Sequence, residues 1–260
     1  MSRECRYTAA SFCATVKKMD YQEEFLEAIK QGDAQAVADL LRAQPELIRF
    51  ADEYAKTGLH WAAETDQLEL ARVLLDAEAD IEAVTTWGAT PLDWAATMES
   101  ARVAELLLDH GASGFTIIIA AALGKLEEVK AIVESKEDLS NHRRRGAPES
   151  PDEHWPADSA HIQNDVLSDA IYAAARNGHT EVVEYLLDHG AKIDAKGIFG
   201  ATGLHWAAIN GHRKTVELLL SRGANLTIRD QRFDGTPHDW ATEGGHKQIA
   251  ELLCSPSNAE

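Results

Sequence analysis

TGLHWAA at residues 57–63 is repeated as TPLDWAA at 90–96, as TGLHWAA at 202–208 and as TPHDWAT at 236–242. The two copies in each half of the chain lie 33 and 34 residues apart. A repeat of this length is typical of a solenoid, in which each unit packs only against its neighbours. Because a solenoid presents a long surface and encloses no reaction chamber, the repeat favours binding over catalysis.

The copy ATGLHWAAINGHRKTVELLLSRGA at 201–224 shows how one unit is expected to fold. Thr202 can cap a helix, and the two alanines after the tryptophan allow that helix to approach its neighbours closely. Gly211 ends the first helix, and apolar residues then recur at helical spacing until Gly223 ends a second one. Each unit is therefore predicted to be a helix, a turn, a second helix and a connecting finger.

This pattern, TPLH-x-AA followed by GH and then by VV-x-x-LL-x-x-GA, resembles the ankyrin repeat family. GHTEVVEYLLDHGA at 178–191 matches the second half of the pattern, and the resemblance covers about residues 23–253. It implies an all-α repeat solenoid of about seven ankyrin-type helix-turn-helix repeats with short β-hairpin fingers, whose concave face binds another protein. The helix pairs are predicted at about 23–43, 57–77, 90–110, 115–135, 168–189, 202–222 and 236–253.

The period fails at two junctions. The finger between the third and fourth repeats is too short, so we expect two shorter stacks to meet near residue 113. Residues 140–165 are rich in Pro, Asp, Glu and Ser and lack a helical period, which predicts a long loop on the binding side. The predicted division is a flexible leader at 1–22, repeats one to four at 23–139, the inserted loop at 140–165, repeats five to seven at 166–253 and a polar tail at 254–260.

Composition limits the class of partner. The formal net charge is -18, which argues against nucleic acid and anionic membranes because both are negatively charged. We recognise no membrane span and no signal peptide, and the three cysteines suggest no disulfide framework, so a cytoplasmic protein is expected. No cofactor or metal is indicated, and we expect a monomer.

Two sets of positions are candidates for contact with a partner protein. Aromatic residues recur at the finger tips, where they would either form interface hot spots or fold against the neighbouring finger. The residues after each alanine pair vary between copies and face the groove in proteins of this family. The finger-tip set is Tyr54, Trp87, Phe199 and Phe233, and the groove set is Glu64, Thr97, Met98, Ile209, Asn210 and Glu243.

Two other recurring residue types are interpreted as structural. Tryptophans precede the alanine pairs, where large side chains fill the space between repeats, although contact with a partner is the alternative. Histidines at the TPLH and GH positions are expected, from the resemblance, to form hydrogen bonds within and between repeats. The tryptophans are Trp61, Trp94, Trp206 and Trp240, and the histidines are His60, His179, His205, His212 and His246.

Three functions are considered. The first is a non-enzymatic protein-protein interaction module, an adaptor, scaffold or regulatory subunit that holds a helix, loop or extended peptide. The second is an enzyme or metal site in the 140–165 loop, although its spacing matches no tetrahedral zinc motif and no nucleophile elbow or phosphate loop is present. Its candidate residues are Glu153, His154, Asp158 and His161.

The third function is an acidic scaffold or decoy that binds a basic protein by charge. Residues 20–112 carry 20 acids and 6 bases, whereas 166–253 carry 11 acids and 9 bases. A partner that contacts the acidic end is therefore predicted to present a basic patch and to associate faster at low salt.

Overall fold

The computed structural model describes residues 21–98, 100–135 and 166–254. In these residues, short helices follow one another in pairs, with boundaries close to those predicted from the sequence. The 3₁₀ turn Pro45–Arg49 follows α2. The pairs are α1 (21–31) with α2 (Ala34–Ala43), α3 (Gly58–Glu64) with α4 (Leu68–Asp76), α5 (Pro91–Thr97) with α6 (Ala101–Asp109), α7 (Ile117–Ala122) with α8 (Leu126–Glu134), α9 (Val166–Arg176) with α10 (Thr180–Asp188), α11 (Gly203–Ile209) with α12 (Arg213–Ser221), and α13 (Pro237–Glu243) with α14 (Lys247–Cys254).

Three predicted segments lie largely outside the described residues. These are the leader before residue 21, the inserted loop at 140–165 and the tail after residue 254. At the edges of these segments, residues 21 and 22 already belong to α1, and Cys254 still belongs to α14. The domain boundaries predicted there therefore differ from the helix boundaries by one or two residues.

The helices form two layers. The first helices of the pairs stack side by side in the order α3, α5, α7, α9, α11 and α13, and the second helices pack behind them. The alanine pairs, such as Ala62 and Ala63 in α3, are fully buried between neighbouring first helices. Because alanine has no side chain beyond Cβ, it permits the close approach that stacking requires.

A threonine caps each of the first helices α3, α5, α7, α11 and α13 through hydrogen bonds. In α5, the Thr90 hydroxyl accepts from the Asp93 backbone amide at 3.2 Å, and the Asp93 carboxylate accepts from the Thr90 amide at 3.0 Å. An equivalent box starts α13. In α7, Thr116 accepts from the Ile119 amide at 3.3 Å, but the third helical residue has no polar side chain to return the bond. A capping residue of this kind contributes about 1 kcal/mol of stability.

Two caps use histidine in place of aspartate. Nδ1 of His60 accepts from the Thr57 amide at 3.2 Å, and Nδ1 of His205 accepts from the Thr202 amide at 3.1 Å. Because Nδ1 accepts in each ring, the proton is on Nε2. His60 Nε2 donates to the Ala89 carbonyl of the next repeat at 3.0 Å, and His205 contacts the following finger in the same way. These histidines cap a helix and join two repeats.

Acid is expected to weaken the fold through these two histidines. Burial lowers the pKa of His60 and His205 below its ordinary value and outweighs the opposing effect of their backbone hydrogen bonds. As the pH falls below about 6.5, the unfolded chain therefore binds protons that the folded chain does not, and stability is lost at up to about 1.4 kcal/mol per pH unit for each proton. Urea unfolding between pH 7 and pH 5 measures this loss.

The matched control is the double variant His60→Asp, His205→Asp, which gives α3 and α11 the aspartate cap that α5 has. Aspartate titrates below this pH window, so the variant is expected to lose less stability between pH 7 and pH 5 than the natural chain. An equal loss in both proteins would show that other groups cause the pH dependence.

Two hydrophobic clusters form the core of the described residues. One extends through the first three helix pairs and the other from α8 to α14. Helix α7 contributes to both, since Ile119 and Ala122 pack into the first cluster whereas Ile117, Ala120 and Ala121 pack into the second. Helix α7 therefore bridges the junction that the sequence placed near residue 113.

A buried amide also crosses the junction. The Asn177 side chain is 7% exposed and its Nδ2 donates to the carbonyls of Ala96 and Ala122, each at 2.8 Å. These carbonyls lie near the ends of α5 and α7, where helical carbonyls lack partners within their own helix. One side chain from the fifth helix pair therefore joins the third and fourth pairs.

The fingers are short turns. Two of them are closed by a single antiparallel bridge, Ala51 to Thr57 and Lys196 to Thr202. Adjacent fingers are joined through the backbone, because the Thr86 amide donates to the Tyr54 carbonyl at 2.9 Å. A similar bond of 2.7 Å runs from the Gln231 amide to the Phe199 carbonyl. The fingers therefore support one another laterally and hold their tips in register.

Candidate functional site

The candidate interface consists of the first helices and the finger tips. In the first half of the chain, the tips form an aromatic stack. The Trp87 ring lies between Tyr54, at 5.3 Å between ring centroids, and Trp94 of α5, at 5.7 Å. The planes of each pair are within 20° of parallel. Trp87 is thus half-buried, while Tyr54 covers it and is 39% exposed.

A buried lysine separates two of the helix tryptophans. Lys56, immediately before a capping threonine, is 7% exposed. Its Nζ lies 3.5 Å from the centroid of the Trp61 ring and 5.1 Å from that of Trp94, and it forms an ion pair with Glu64. A cation over the faces of two indole rings is electrostatically favourable. The groove candidate Glu64 is therefore already engaged within the protein.

The second half of the chain arranges its tryptophans differently. Trp206 and Trp240 are in direct edge-to-face contact at 5.1 Å, with no lysine between them. Arg176 of α9 lies over Trp206, with its Cζ 4.1 Å from the ring centroid. The groove candidate Asn210 adjoins this cluster, because its Nδ2 donates to the Arg176 carbonyl at 2.8 Å.

Among the described residues, the last finger presents the most exposed aromatic ring. Phe233 is 66% exposed, and Arg232 beside it lies over both Phe233 and the Phe199 ring of the preceding finger. Phe199 has φ of 61°, a left-handed conformation that is uncommon for a residue other than glycine. These tips thus form a cluster of two phenylalanines and one arginine.

A buried carboxylate holds this tip in place. Asp230 accepts from the backbone amides of Arg232 and Phe233 at 2.8 Å, from the Gly235 amide at 2.9 Å and from the Trp240 indole at 2.9 Å. Burial alone would raise the pKa of Asp230, but the bonds from Phe233, Trp240, Gly235 and Arg232 together hold it below its usual value. The carboxylate stays ionised and fixes the backbone of the tip.

The remaining groove candidates vary in exposure. Thr97 and Met98 at the end of α5 are half-buried, and the Thr97 hydroxyl donates to the Asp93 carbonyl at 2.8 Å. Ile209 is half-buried at the end of α11, and Glu243 is exposed at the end of α13. These side chains follow the first-helix layer from one repeat to the next.

Sequence reasoning did not identify the cations among these aromatic rings. Lys56, Arg176 and Arg232 each lie over a tryptophan or phenylalanine ring. One signal was available for Lys56, because the residue before the threonine is Ala89, Ala201 or Gly235 in the other three copies of the repeated phrase. A lysine at a position otherwise occupied by alanine or glycine indicates a local role.

Other kinds of site receive no support from the described residues. Within 21–98, 100–135 and 166–254, no group of three or more His, Cys, Asp or Glu side chains could hold a metal ion. In the same ranges, none of the helices combines the length and apolar character needed to cross a bilayer. The predicted loop cluster of Glu153, His154, Asp158 and His161 lies outside these ranges.

Comparison with known proteins identifies the repeat. The family model described as "Ankyrin repeats (3 copies)" matches residues 25–116, 117–230 and 199–260. Among solved structures, the ankyrin repeat domain of human ASB11 is similar, with 25% sequence identity, a TM-score of 0.44 and coverage of 89% of this chain and 98% of that chain. No curated protein sequence gives a significant match.

Proposed function

The chain belongs to the ankyrin repeat family, and we propose that it is a non-enzymatic protein-protein interaction module acting as an adaptor, scaffold or regulatory subunit. Ankyrin repeats are generally modules of this kind. The observation that carries the proposal for this chain is the finger-tip cluster of Phe199, Arg232 and Phe233. Arginine and aromatic side chains dominate the binding energy of protein interfaces, and rigid positioning lowers the entropy lost on binding.

The proposed partner lies along the concave groove and across the finger tips. Tyr54 and Phe233 would contact the two ends of the partner, because both rings are exposed. Stacking on Trp87 holds the first tip in place, and the hydrogen bonds to Asp230 hold the second. Trp87 would act mainly by supporting Tyr54 because its own ring is stacked on both faces. The groove residues Ile209, Asn210 and Glu243 would supply contacts that distinguish one partner from another.

Affinity capture with tip variants tests the proposal. We expect the double variant Tyr54→Ala, Phe233→Ala to recover at least tenfold less of the specific partner than the natural chain, because each ring is a candidate hot spot. The control Arg72→Ala, Glu181→Ala alters exposed positions on α4 and α10, which belong to the layer of second helices, here called the outer helices. It is expected to leave recovery unchanged. Circular dichroism checks that both variants remain folded. Equal recovery with both variants would contradict the proposed binding face.

The acidic first half supports a second candidate, a scaffold or decoy that binds a basic protein by charge. In the described part of this half, Arg42, Arg72 and Arg102 are each already paired with a carboxylate of the chain itself. Binding of this kind would weaken steeply between 50 and 500 mM salt and would tolerate the tip substitutions. Capture that is lost with the tip variant and persists at high salt would exclude this candidate.

A further inference from the structure

The fingers carry opposite charges at the two ends of the array. The first two fingers carry Asp52, Glu53, Asp80 and Glu82, with Lys56 paired internally, and the last two carry Lys192, Lys196, Arg229 and Arg232. These four basic residues outnumber the three acids of the last two fingers, Asp194, Asp230 and Asp234. Asp230 is buried, Asp234 pairs with Arg229 at 3.6 Å, and Asp194 accepts from the Asn225 amide at 2.9 Å.

Arg232 differs from the other arginines nearby. Arg222 forms ion pairs with Glu184 at 2.9 Å and Asp188 at 2.6 Å, and Arg229 pairs with Asp234. Within the described ranges, no carboxylate pairs with the Arg232 guanidinium, whose Cζ lies 4.7 Å from the Phe199 centroid and 5.0 Å from the Phe233 centroid. Its hydrogen-bond donors are thus not used by the side chains that surround it.

The arginine is also positioned in advance of any binding. Its backbone amide is bound to the buried Asp230 carboxylate, and its side chain contacts the rings of two adjacent fingers. Arg232 is exposed, so a partner can reach its guanidinium, and the contacts with the two rings hold that group in place. A planar fork of this kind matches the two oxygens of a carboxylate.

We propose that Arg232 binds an aspartate or glutamate carboxylate of the partner protein, next to an apolar side chain of the partner that packs on Phe233. This inference rests on the proposed function and specifies the chemistry of the partner. The acidic fingers at the other end favour basic residues of the same partner. Arg232 therefore fixes the direction in which the partner lies along the array, with its acidic segment at the last finger.

Peptide selection tests this inference. A phage library of random twelve-residue peptides is selected against the full chain, and the affinities of the selected peptides are measured by isothermal titration calorimetry. We expect peptides that share an aspartate or glutamate beside an apolar residue. Changing the shared acid of a peptide to its amide, glutamate to glutamine for example, is expected to weaken binding to the natural chain at least tenfold. The same change is expected to weaken binding to Arg232→Ala less than twofold. Arg232→Lys, which keeps the charge and loses the fork, is expected to bind the parent peptide about fivefold more weakly.

The matched control is Arg229→Ala, which removes an arginine of the same finger that is already paired. It is expected to change affinity less than twofold. Selected peptides that share no acidic residue would overturn the inference and leave the proposed function in place. The same would follow if the change from glutamate to glutamine weakened binding equally for the natural chain and for Arg232→Ala. Phosphoserine that binds more than tenfold tighter than glutamate would overturn the carboxylate assignment. A library that yields no binder would contradict both proposals.

Discussion

Replacing Asn177 with alanine is expected to lower the free energy of unfolding by about 2–3 kcal/mol, because the buried Ala96 carbonyl loses its donor and the Ala122 carbonyl keeps only its bond with His179 Nε2. The side chain donates to Ala96 and Ala122 at the junction between the two hydrophobic clusters. Repeat proteins are stabilised by their intrinsic repeat energies and by the interfaces between neighbours. Weakening one interface should therefore also separate the unfolding of the two halves. Urea titration followed by circular dichroism is expected to change from one transition to two.

Asn210→Ala provides the matched control for this prediction. Asn210 occupies the equivalent position one repeat later, but it is exposed and donates to a single carbonyl, that of Arg176. Its replacement is expected to cost less than about 1 kcal/mol and to preserve a single transition. The isosteric variant Asn177→Asp, which cannot donate to either carbonyl, should be at least as unstable as Asn177→Ala. Equal costs for the two alanine variants would show that Asn177 does not join the halves.

Lys56→Ala is expected to cost about 2–3 kcal/mol. The substitution removes an ammonium held between two indole rings, breaks the ion pair with Glu64 and leaves a cavity beside Trp61 and Trp94. The emission of these tryptophans should shift to longer wavelength as water enters. Urea unfolding and intrinsic fluorescence measure the two effects on the same sample.

Two further lysine variants separate the charge of Lys56 from its apolar stem and compare it with a second lysine near Trp61. Lys56→Met keeps the apolar stem and loses the charge, so it is expected to cost about 1 kcal/mol. Lys30→Ala removes a second cation, whose Nζ is 5.3 Å from the centroid of the Trp61 ring, and should cost less than about 0.5 kcal/mol. If Lys56→Ala were as stable as the natural chain, the contacts of Lys56 with the two rings and with Glu64 would contribute nothing to stability.

The sequence was sufficient to predict the helix pairs, because their boundaries depend on local chemistry. A threonine cap, a pair of small residues and a turn glycine lie within a few residues of one another. Local sequence does not determine which residues the tryptophans contact. Trp61 and Trp206 occupy the identical phrase TGLHWAA, yet one ring contacts Lys56 and the other contacts Trp240. Which residue meets each ring depends on the neighbouring repeat.

The finger tips show the same limit. The sequence offered two interpretations for all four aromatic residues, exposure to a partner or packing against the next finger. Trp87 packs between Tyr54 and the helix behind it, whereas Phe233 remains exposed. The first two rings lie on adjacent fingers that stack, but Phe233 is on the last finger in the described part of the chain. Its exposure follows from its position in the array and is not encoded in its local sequence.

Site-specific photocrosslinking tests the central claim most directly. A benzoylphenylalanine is placed at Tyr54, Ile209 or Phe233 on the proposed binding face, and at Arg72 or Glu181 on the outer helices, in the full chain expressed in cells. The account predicts adducts of one protein mass from all three positions on the binding face and none from the two outer positions. Adducts formed only from the outer helices, or no protein adduct from any of the five positions, would contradict it.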